Sequence, residues 1–297
     1  GNTNWLAASN VTATATFTKS SQTITAPSNP SGAWSGTLSV ATTATSSLTV
    51  SYALGAGSTA SGCAVTSAGV VSATSAGTCV ITLSQAGNTN WLAASNVTAT
   101  ATFTASAQTI TITSTAPASA VVSGATYTPT ATASSNLSVT ITVDATASAV
   151  CSISGGVVSF QTAGTCVLDF NQAGNANYQA ATQVQQSFSV GKGSQTITAP
   201  SNPSGAWSGT LSVATTATSS LTVSYALGAG STASGCAVTS AGVVSATSAG
   251  TCVITLSQAG NTNWLAASNV TATATFTKSS QTITAPSNPS GAWSGTL

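Results

Sequence analysis

The sequence predicts an all-β protein built from tandem seven-stranded β-sandwich domains, arranged as a beads-on-a-string rod. The first reason is a repeat of about 86 residues: Gln-Thr-Ile-Thr recurs at steps of 86, 87 and 86, beginning at Gln22, Gln108, Gln195 and Gln281. A fixed period of this kind is the signature of a tandem array. The second reason is that short runs of Val, Ile, Thr and Leu alternate with Gly, Pro, Ser and Asn clusters, as in all-β domains.

Two types of repeat make up the array. Residues 21–104 and 194–277 are identical and define type A, whereas residues 108–193 are a diverged type B. The predicted domains are 1–20 (end of a repeat), 21–105 (type A), 106–192 (type B), 193–278 (type A) and 279–297 (start of a repeat). Residues 1–38 return as 260–297, so we expect the chain to be an excerpt from a longer polypeptide with an A-A-B pattern.

Seven strands are predicted in the first type A repeat. They lie near Gln22–Thr25, Leu38–Ala44, Leu48–Leu54, Cys63–Thr66, Val70–Thr74, Thr78–Gln85 and Val97–Thr104. Because side chains alternate between the two faces of a strand, the sixth strand turns Cys79, Ile81 and Leu83 to one side. The last strand is predicted to place Phe103 and its small apolar neighbours in the core and its threonines outside. Gly69 is expected in the tight turn before the fifth strand.

Charged residues are scarce, which excludes several classes of function. There are five in 297 residues, with a net charge of +1: Lys19, Lys192, Lys278, Asp144 and Asp169. This charge offers no attraction to nucleic acid or to an anionic membrane surface. No apolar run approaches the roughly 18 residues of a membrane helix, so no membrane insertion is expected. Near-zero charge also favours association between chains, and we expect neighbouring copies of the repeats to self-associate.

The residues that catalysis requires are almost absent. There is no His, and the two acids lie only in the type B repeat. Because catalysis needs a base or an activated nucleophile, we expect no enzyme activity, no catalytic residue and no cofactor. A calcium site at Asp144 and Asp169 is conceivable, but solvated surface acids are the favoured interpretation. All three lysines lie in linkers, which argues against self-formed isopeptide crosslinks.

Each complete repeat contains one pair of cysteines, fifteen or sixteen residues apart, and the partial repeats contain none. The pairs are Cys63 with Cys79, Cys151 with Cys166, and Cys236 with Cys252. This pattern favours an intradomain disulfide, which implies an oxidising compartment. Buried free thiols are the alternative. A metal site would need more ligands than the sequence offers, so no metal is expected.

Tryptophans are the candidate contact residues. Trp34, Trp207 and Trp293 stand in a Pro- and Gly-rich segment of the type A sequence that has no aromatic counterpart in type B. They are predicted either to pack between neighbouring domains or fibres, or to stack on a glycan. Trp91 lies in the loop Gly-Asn-Thr-Asn-Trp, where type B has Tyr178. We expect it to cap the end of the sandwich rather than to bind sugar.

Rows of alternating threonines follow the last strand, for example Thr98, Thr100, Thr102 and Thr104. Their high β propensity explains them most simply. Ordering of water, as on an ice-binding surface, and use as O-glycan acceptors are the alternatives. The sequons at Asn10, Asn96, Asn136 and Asn269 are matched by chance as easily as by use.

The repeats resemble bacterial immunoglobulin-like domains of giant extracellular surface proteins. The resemblance rests on Ser-Gln-Thr-Ile-Thr at the start, Ala-Gly-Thr-Cys at Cys79 and Cys166, the segment 172–181 and the closing Ser187-Phe188-Ser189-Val190. It implies an immunoglobulin-like seven-stranded sandwich without a shared active site. We therefore expect a non-catalytic structural subunit of a filament or fibre at the bacterial cell surface. The alternative is the stalk or binding module of a giant adhesin that recognises a surface glycan.

Overall fold

The computed structural model describes residues 2–287, which form β-strands, turns and one short 3-10 helix. Strands of the first type A repeat alternate buried and half-buried or exposed side chains, as their sequence dictates. Its strands are β1 Ser31–Ala33, β2 Leu38–Ser39, β3 Ser51–Leu54, β4 Ala64–Val65, β5 Val70–Ser72, β6 Gly77–Ser84 and β7 Val97–Thr104.

Two sheets make the sandwich of this repeat. One has the order β1-β7-β6-β3 and the other the order β2-β5-β4. An antiparallel bridge joins Ile24, near the start of the repeat, to Ala44, which lies five residues after β2. The first segment thus pairs with the chain that follows β2, while the last strand lies between β1 and β6. This distribution is that of an immunoglobulin-like sandwich.

The core of the repeat lies between the two sheets. Phe103, Ile81, Leu83, Val40 and Val71 are fully or almost fully buried. The strands β6 and β7 pair antiparallel along seven residue pairs, from Gly77–Phe103 to Leu83–Val97. The predicted inward faces of these two strands are confirmed. The predicted turn is also confirmed, because Gly69 has φ +75° and follows Thr66 in a hydrogen-bonded turn.

The type B repeat has eight strands, one more than type A, and one short helix. Its strands are β8 Ile110–Ile112, β9 Ala120–Val121, β10 Ala131–Ala133, β11 Thr140–Val143, β12 Cys151–Ser154, β13 Val157–Phe160, β14 Gly164–Asn171 and β15 Val184–Gly191. They form the sheets β11-β14-β15-β9, β10-β8 and β12-β13. A 3-10 helix, Ala145–Ala147, follows β11 and is capped by Asp144.

The second type A repeat reproduces the first. Its strands are β16 Ser204–Ala206, β17 Leu211–Ser212, β18 Ser224–Leu227, β19 Ala237–Val238, β20 Val243–Ser245, β21 Gly250–Ser257 and β22 Val270–Thr277. They form sheets of order β16-β22-β21-β18 and β17-β20-β19. The all-β fold class predicted from the sequence is confirmed.

The first strand of each type A repeat differs from the prediction. The segment Gln22–Thr25 makes only a short pairing, through the bonds Thr25 N–H to Thr43 O and Thr45 N–H to Thr23 O, both 2.9 Å. The strand β1, which pairs parallel with β7, was not predicted. It contains Gly32 and follows Pro30, and both residue types are depleted in strands, so local sequence gave no sign of it.

Residues 1–20, as the end of a repeat, were expected to carry its last strand, and this expectation is wrong for residues 2–19 of the described structure. All of them are exposed and none belongs to a strand. None of the described strands pairs with them to supply the hydrogen bonds that a strand requires.

The chain divides into two compact units. One contains residues 1–113, 130–141 and 169–185, and the other contains 114–129, 142–168 and 186–297. Each unit holds one complete type A repeat with part of the type B repeat, and each junction described below lies within one unit. Among the described residues there is no helix long and apolar enough to span a membrane.

Candidate functional site: the junctions between repeats

Each complete repeat contains one disulfide. The bonds are Cys63–Cys79, Cys151–Cys166 and Cys236–Cys252, with Cα–Cα distances of 5.8, 5.7 and 5.8 Å. In the type A repeats the bond ties the residue before the fourth strand to the sixth strand, and so links the two sheets. Closing a loop of this size is worth on the order of 3 kcal/mol in the chain-entropy model. Disulfides of this kind are typical of oxidising compartments.

A buried glutamine pair fixes the loop that ends each sandwich. Gln22 Nε2 donates to Gln85 Oε1 and to the carbonyl of Leu92, each at 2.6 Å. Gln85 Oε1 also accepts the Gly87 N–H at 2.6 Å. The same network recurs around Gln108 with Gln172, and around Gln195 with Gln258. Because a buried amide is costly unless it is hydrogen-bonded, this network holds the start of the repeat against both sides of the loop.

The loop between these anchors, residues 87–91, 174–178 and 260–264, is here called the junction loop. In the first copy, Asn88 Oδ1 accepts the N–H groups of Asn90 and Trp91 at 2.8 and 3.0 Å. Asn88 N–H donates back to the Trp91 carbonyl at 3.1 Å. Gly87 has φ +75°, and a Cβ there would lie 2.4 Å from the Trp91 oxygen. The loop is therefore closed on itself, and it presents an asparagine and an aromatic side chain together.

The second asparagine of the junction loop, equivalent to Asn90, hydrogen-bonds the preceding repeat at both complete junctions. Asn177 Oδ1 accepts the Ala76 N–H at 2.9 Å, and Asn263 Oδ1 accepts the Ala163 N–H at 3.0 Å. Ala76 and Ala163 each precede the Gly-Thr-Cys that begins a sixth strand. Two phrases that recur in every repeat thus meet across the junction. In the first repeat the corresponding Asn90 is exposed.

An aromatic contact accompanies the asparagine at the first junction. The rings of Trp34 and Tyr178 meet edge to face, with centroids 5.9 Å apart and planes at 89°. Such pairs are worth about 0.5–1.5 kcal/mol beyond the area they bury. Trp34 also packs against the core of its own repeat. Two buried polar atoms of this junction, Trp34 Nε1 and Ser106 Oγ, have no hydrogen-bond partner in the described structure.

The residue that joins two repeats is bonded to the junction loop as well. Ser20, Ser106 and Gly193 hold equivalent places, and their N–H groups donate to the carbonyls of Asn90, Asn177 and Asn263 at 2.9, 2.8 and 2.9 Å. At the second junction Gly193 lies in a tight place. A Cβ on it would come within 2.5 Å of the Val122 oxygen and 2.9 Å of the Trp264 ring.

The predicted contact residues have different surroundings. Trp34 packs on Tyr178, whereas Trp207 is 41% exposed. Trp293 lies outside the described residues. Lys192 Nζ donates to the Asn261 carbonyl of the junction loop at 2.7 Å.

The two acids are each engaged locally. Asp144 Oδ1 accepts the Thr146 hydroxyl and the Thr146 N–H, the latter at 2.8 Å. The hydroxyl bond first, and then the N–H bond, hold the pKa of Asp144 below its usual value. Asp169 Oδ1 accepts from Gln185 Nε2 at 2.7 Å. Among the described residues no cluster of three His, Cys, Asp or Glu side chains could hold a metal ion.

Each type A repeat also has an open groove of about 450–460 Å³. Alanines, threonines and Tyr52 line the first of these, and the Tyr52 hydroxyl bonds the backbone of Thr42. The corresponding groove of type B is smaller, at about 250 Å³.

The sequence did not predict the roles of Gln22, Asn177 or Asn263. One signal was available, because every Gln-Thr-Ile-Thr phrase has its Gln two residues before the Ile and therefore on the same face of the strand. A polar residue on a buried face needs hydrogen-bond partners. A second signal was the recurrence of Asn four residues into each junction loop. The partner amides could not be predicted in this way, because every non-proline residue has a backbone N–H and the residue type does not show which of them is bonded.

Comparison with protein-family models gave no match, and comparison with curated proteins gave no significant match. Solved structures with similarity include Drosophila N-cadherin EC1-4, at 10% identity and TM-score 0.25, covering 77% of this chain and 67% of that one. Sidekick-1 immunoglobulin domains 1-5 are 14% identical with TM-score 0.39, and the match covers 86% of this chain and 58% of that one. The human Desmocollin-1 ectodomain is 10% identical with TM-score 0.29, and the match covers 89% of this chain and 61% of that one.

The chain thus spans 58% of the Sidekick-1 structure and 61% of the desmocollin structure. With TM-scores of 0.25 to 0.39 these similarities are low, and the fold assignment rests on the strand order given above. The likeness to bacterial immunoglobulin-like repeats has no family match behind it and stays a resemblance.

Proposed function

We propose that this chain is a non-catalytic structural segment of an extracellular filament or fibre at a bacterial cell surface. The domain boundaries predicted from the repeat are part of this proposal. The observation that carries it is the docking of one asparagine onto a backbone amide of the preceding repeat at both junctions, at 2.9 and 3.0 Å.

Short connections between repeats support a mechanical role in a fibre. Strand β7 ends at Thr104, and Ser106 is already bonded to the junction loop of the next repeat. A connection of this length leaves little hinge freedom. In such arrays the stability is close to a sum of single repeats and nearest-neighbour interfaces. Three disulfides fit a protein that works outside the cell, where thiols are oxidised.

Unprotected sheet edges support self-association between copies. The strands β3 and β18 are edge strands, and they expose Leu54 at 51% and Leu227 at 52%. Natural edges are usually guarded by charged side chains, and these edges carry none. With a net charge of +1, little repulsion keeps two copies apart.

Electron microscopy of the native material and of the purified chain tests this function. We expect filaments whose axial repeat matches one or three domains, with several chains in a cross-section. The variant Leu54→Lys/Leu227→Lys should abolish lateral association. Asn96→Lys/Asn269→Lys, which adds the same charge at exposed positions outside the edge strands, should not. Single chains at every concentration, or equal effects of both variants, would contradict the proposal.

A glycan-binding stalk is the second candidate. Its support is the exposed ring of Trp207 and the open groove around Tyr225 in the same repeat. A glycan array compares the chain with Trp207→Ala and with the control Trp34→Ala, whose ring is covered by Tyr178. Selective binding that Trp207→Ala abolishes and Trp34→Ala retains would favour this candidate over the fibre.

A further inference from the structure

The edge strands β3 and β18 of the two type A repeats direct part of their backbone away from their own sheets. After β3, the Gly55 N–H donates inward to the Val80 carbonyl of β6, at 2.8 Å. In an antiparallel strand the backbone groups of successive residues point alternately to its two sides, so those of Tyr52 and Leu54 point away from β6. Strand β18 has the same sequence and the same inward bond, also at 2.8 Å. Each type A repeat therefore offers two outward backbone positions at its edge.

A second copy of the same edge is complementary to these positions. In the antiparallel register centred on Ala53, each Tyr52 lies opposite a Leu54 of the other copy and exchanges both backbone hydrogen bonds with it. This register uses both outward positions of each strand, and its two-fold symmetry is that of an isologous contact. It also places each Leu54, 51% exposed in the single chain, beside a tyrosine on the same face of the joined sheet. Strand addition would thus cover the apolar side chain that the edge leaves in solvent.

The corresponding edge of type B carries the only acidic residues of the chain. Asp144 takes the place of Gly55, because its N–H donates to the Val167 carbonyl at 3.0 Å. Asp169 lies on β14, the strand next to the edge strand β11, and neither acid is buried. The 3-10 helix Ala145–Ala147 follows the edge directly. Charged side chains at a sheet edge oppose the addition of a further strand, so the type B edge is guarded where the type A edges are open.

We propose that copies of this chain join edge to edge through their type A repeats, and that the acidic edge of type B keeps type B repeats out of these contacts. The occupant of each open edge is β3 or β18 of a second copy. The self-complementary register selects this occupant, and residues 21–104 and 194–277 contain no charged residue to repel it. The inference rests on the proposed function, and it names the surface through which the chains of a fibre associate.

Disulfide trapping in the full chain tests the register. Ala53→Cys/Ala226→Cys places a thiol at the centre of each open edge, where opposing Cα atoms of a non-hydrogen-bonded pair lie about 4.5 Å apart. A disulfide can bridge that distance, so we expect covalent dimers and larger species on a non-reducing gel after mild oxidation. Ser51→Cys/Ser224→Cys is the matched control, because these thiols are exposed on the same face but lie opposite Gly55 or its equivalent instead of each other. The control should give little covalent dimer.

A second set of variants tests the role of type B. Thr142→Cys introduces a thiol into β11 at the place equivalent to Ala53, where the side chain is also exposed, and we expect little crosslinking. Adding Asp144→Asn/Asp169→Asn removes both charges at nearly constant shape, and an Asn oxygen can still accept the two bonds from Thr146. We expect the crosslinked fraction to rise towards that of the type A edges. Unchanged amide protection in β6 and β14 shows that every variant remains folded.

The outcomes separate this inference from the fibre itself. Filaments that form without crosslinking in Ala53→Cys/Ala226→Cys, or equal yields from Ser51→Cys/Ser224→Cys, would overturn the edge pairing and leave the fibre standing. Efficient crosslinking of Thr142→Cys with both acids present, or no gain when they are removed, would overturn the exclusion of type B. Single chains in every experiment would overturn both the inference and the proposed function.

Discussion

The same eighteen residues occur three times, as 1–18, 87–104 and 260–277, and they do not take the same structure. In the later copies they form the junction loop and the last strand, with Phe103 and Phe276 each 2% exposed. In the first copy Phe17 is 95% exposed and no strand forms. Identical local propensity therefore does not make the strand, and a hydrogen-bonded neighbour such as β6 does.

The two later copies differ from each other at the junction. Asn263 binds the Ala163 amide, whereas Asn90 is exposed. The loop has the same closed geometry in both, with the Asn88 and Asn261 bonds at 2.8 and 3.0 Å. The loop is thus preformed and does not depend on its partner, which lowers the entropic cost of docking.

The largest difference is expected for the buried phenylalanine. Phe103→Ala should destabilise the first repeat by about 3–5 kcal/mol, because it removes an aromatic ring from a packed core. Phe17→Ala, the same change in the same sequence, should alter stability by less than about 0.5 kcal/mol. The measurement is the exchange free energy of the β6 amides in both variants. A similar loss in both would show that residues 1–18 are packed in solution.

Removal of a disulfide should have the next largest effect. Cys63→Ala/Cys79→Ala and Cys236→Ala/Cys252→Ala should each cost their repeat about 3 kcal/mol, since both bonds close loops of equal length. Chemical denaturation followed by exchange in β6 and β21 measures the two losses. Because the repeats are identical, any difference between the losses measures the stabilisation that the neighbouring repeat supplies.

A smaller effect is expected for the junction asparagines. Asn263→Ala should weaken the second junction by about 0.5–1.5 kcal/mol, the usual net value of one hydrogen bond. Asn90→Ala should leave the described contacts intact. Exchange of the Ala163 amide reports the first change, and Ala76 serves as an unaffected reference. Equal protection of Ala163 in the parent and in Asn263→Ala would contradict the docking role.

The smallest effect concerns pH and separates type B from type A. The pKa of Asp144 is lower in the folded chain than in the unfolded one, where it is roughly 3.9. The contribution of Asp144 to the free energy of unfolding is therefore present above that value and is lost as the pH falls through the folded pKa. Acid titration of β14 exchange should show a decline that Asp144→Asn removes. The β6 amides, in a repeat without acidic residues, should show no decline.

Sequence reasoning predicted best the strand with the strongest alternation, β7, and missed β1, which has none. The bounds of β7 were predicted correctly because Ala99, Ala101 and Phe103 alternate with threonine over eight residues. Strand β1 was missed because its three residues, Ser-Gly-Ala, contain no large apolar side chain. Its pairing is parallel to a strand about seventy residues later, and no local pattern reports such a neighbour.

The candidate site was predictable only in part. The Cys pairs could be predicted from their spacing. Trp34 could be predicted as a contact residue from its position in a segment that type B lacks. The amides of Ala76 and Ala163 could not, because their role comes from contact with the next repeat, which no local pattern reports. The lack of space for a side chain at Gly193 could not be predicted either, since a glycine in a linker is usually explained by its backbone freedom.

Identical strands in one chain also compete for the same partner while the protein folds. The residues of β6 that pair with β7 could pair in the same register with 11–18, which have the same sequence. The correct copy is connected through residues 85–96, and the competitor through residues 19–76, a segment about five times longer. By the loop-closure relation this difference favours the nearer copy by about 1.4 kcal/mol, or roughly tenfold. Chain proximity, rather than side-chain chemistry, selects the strand that completes each domain, and lengthening 85–96 would erode that selection.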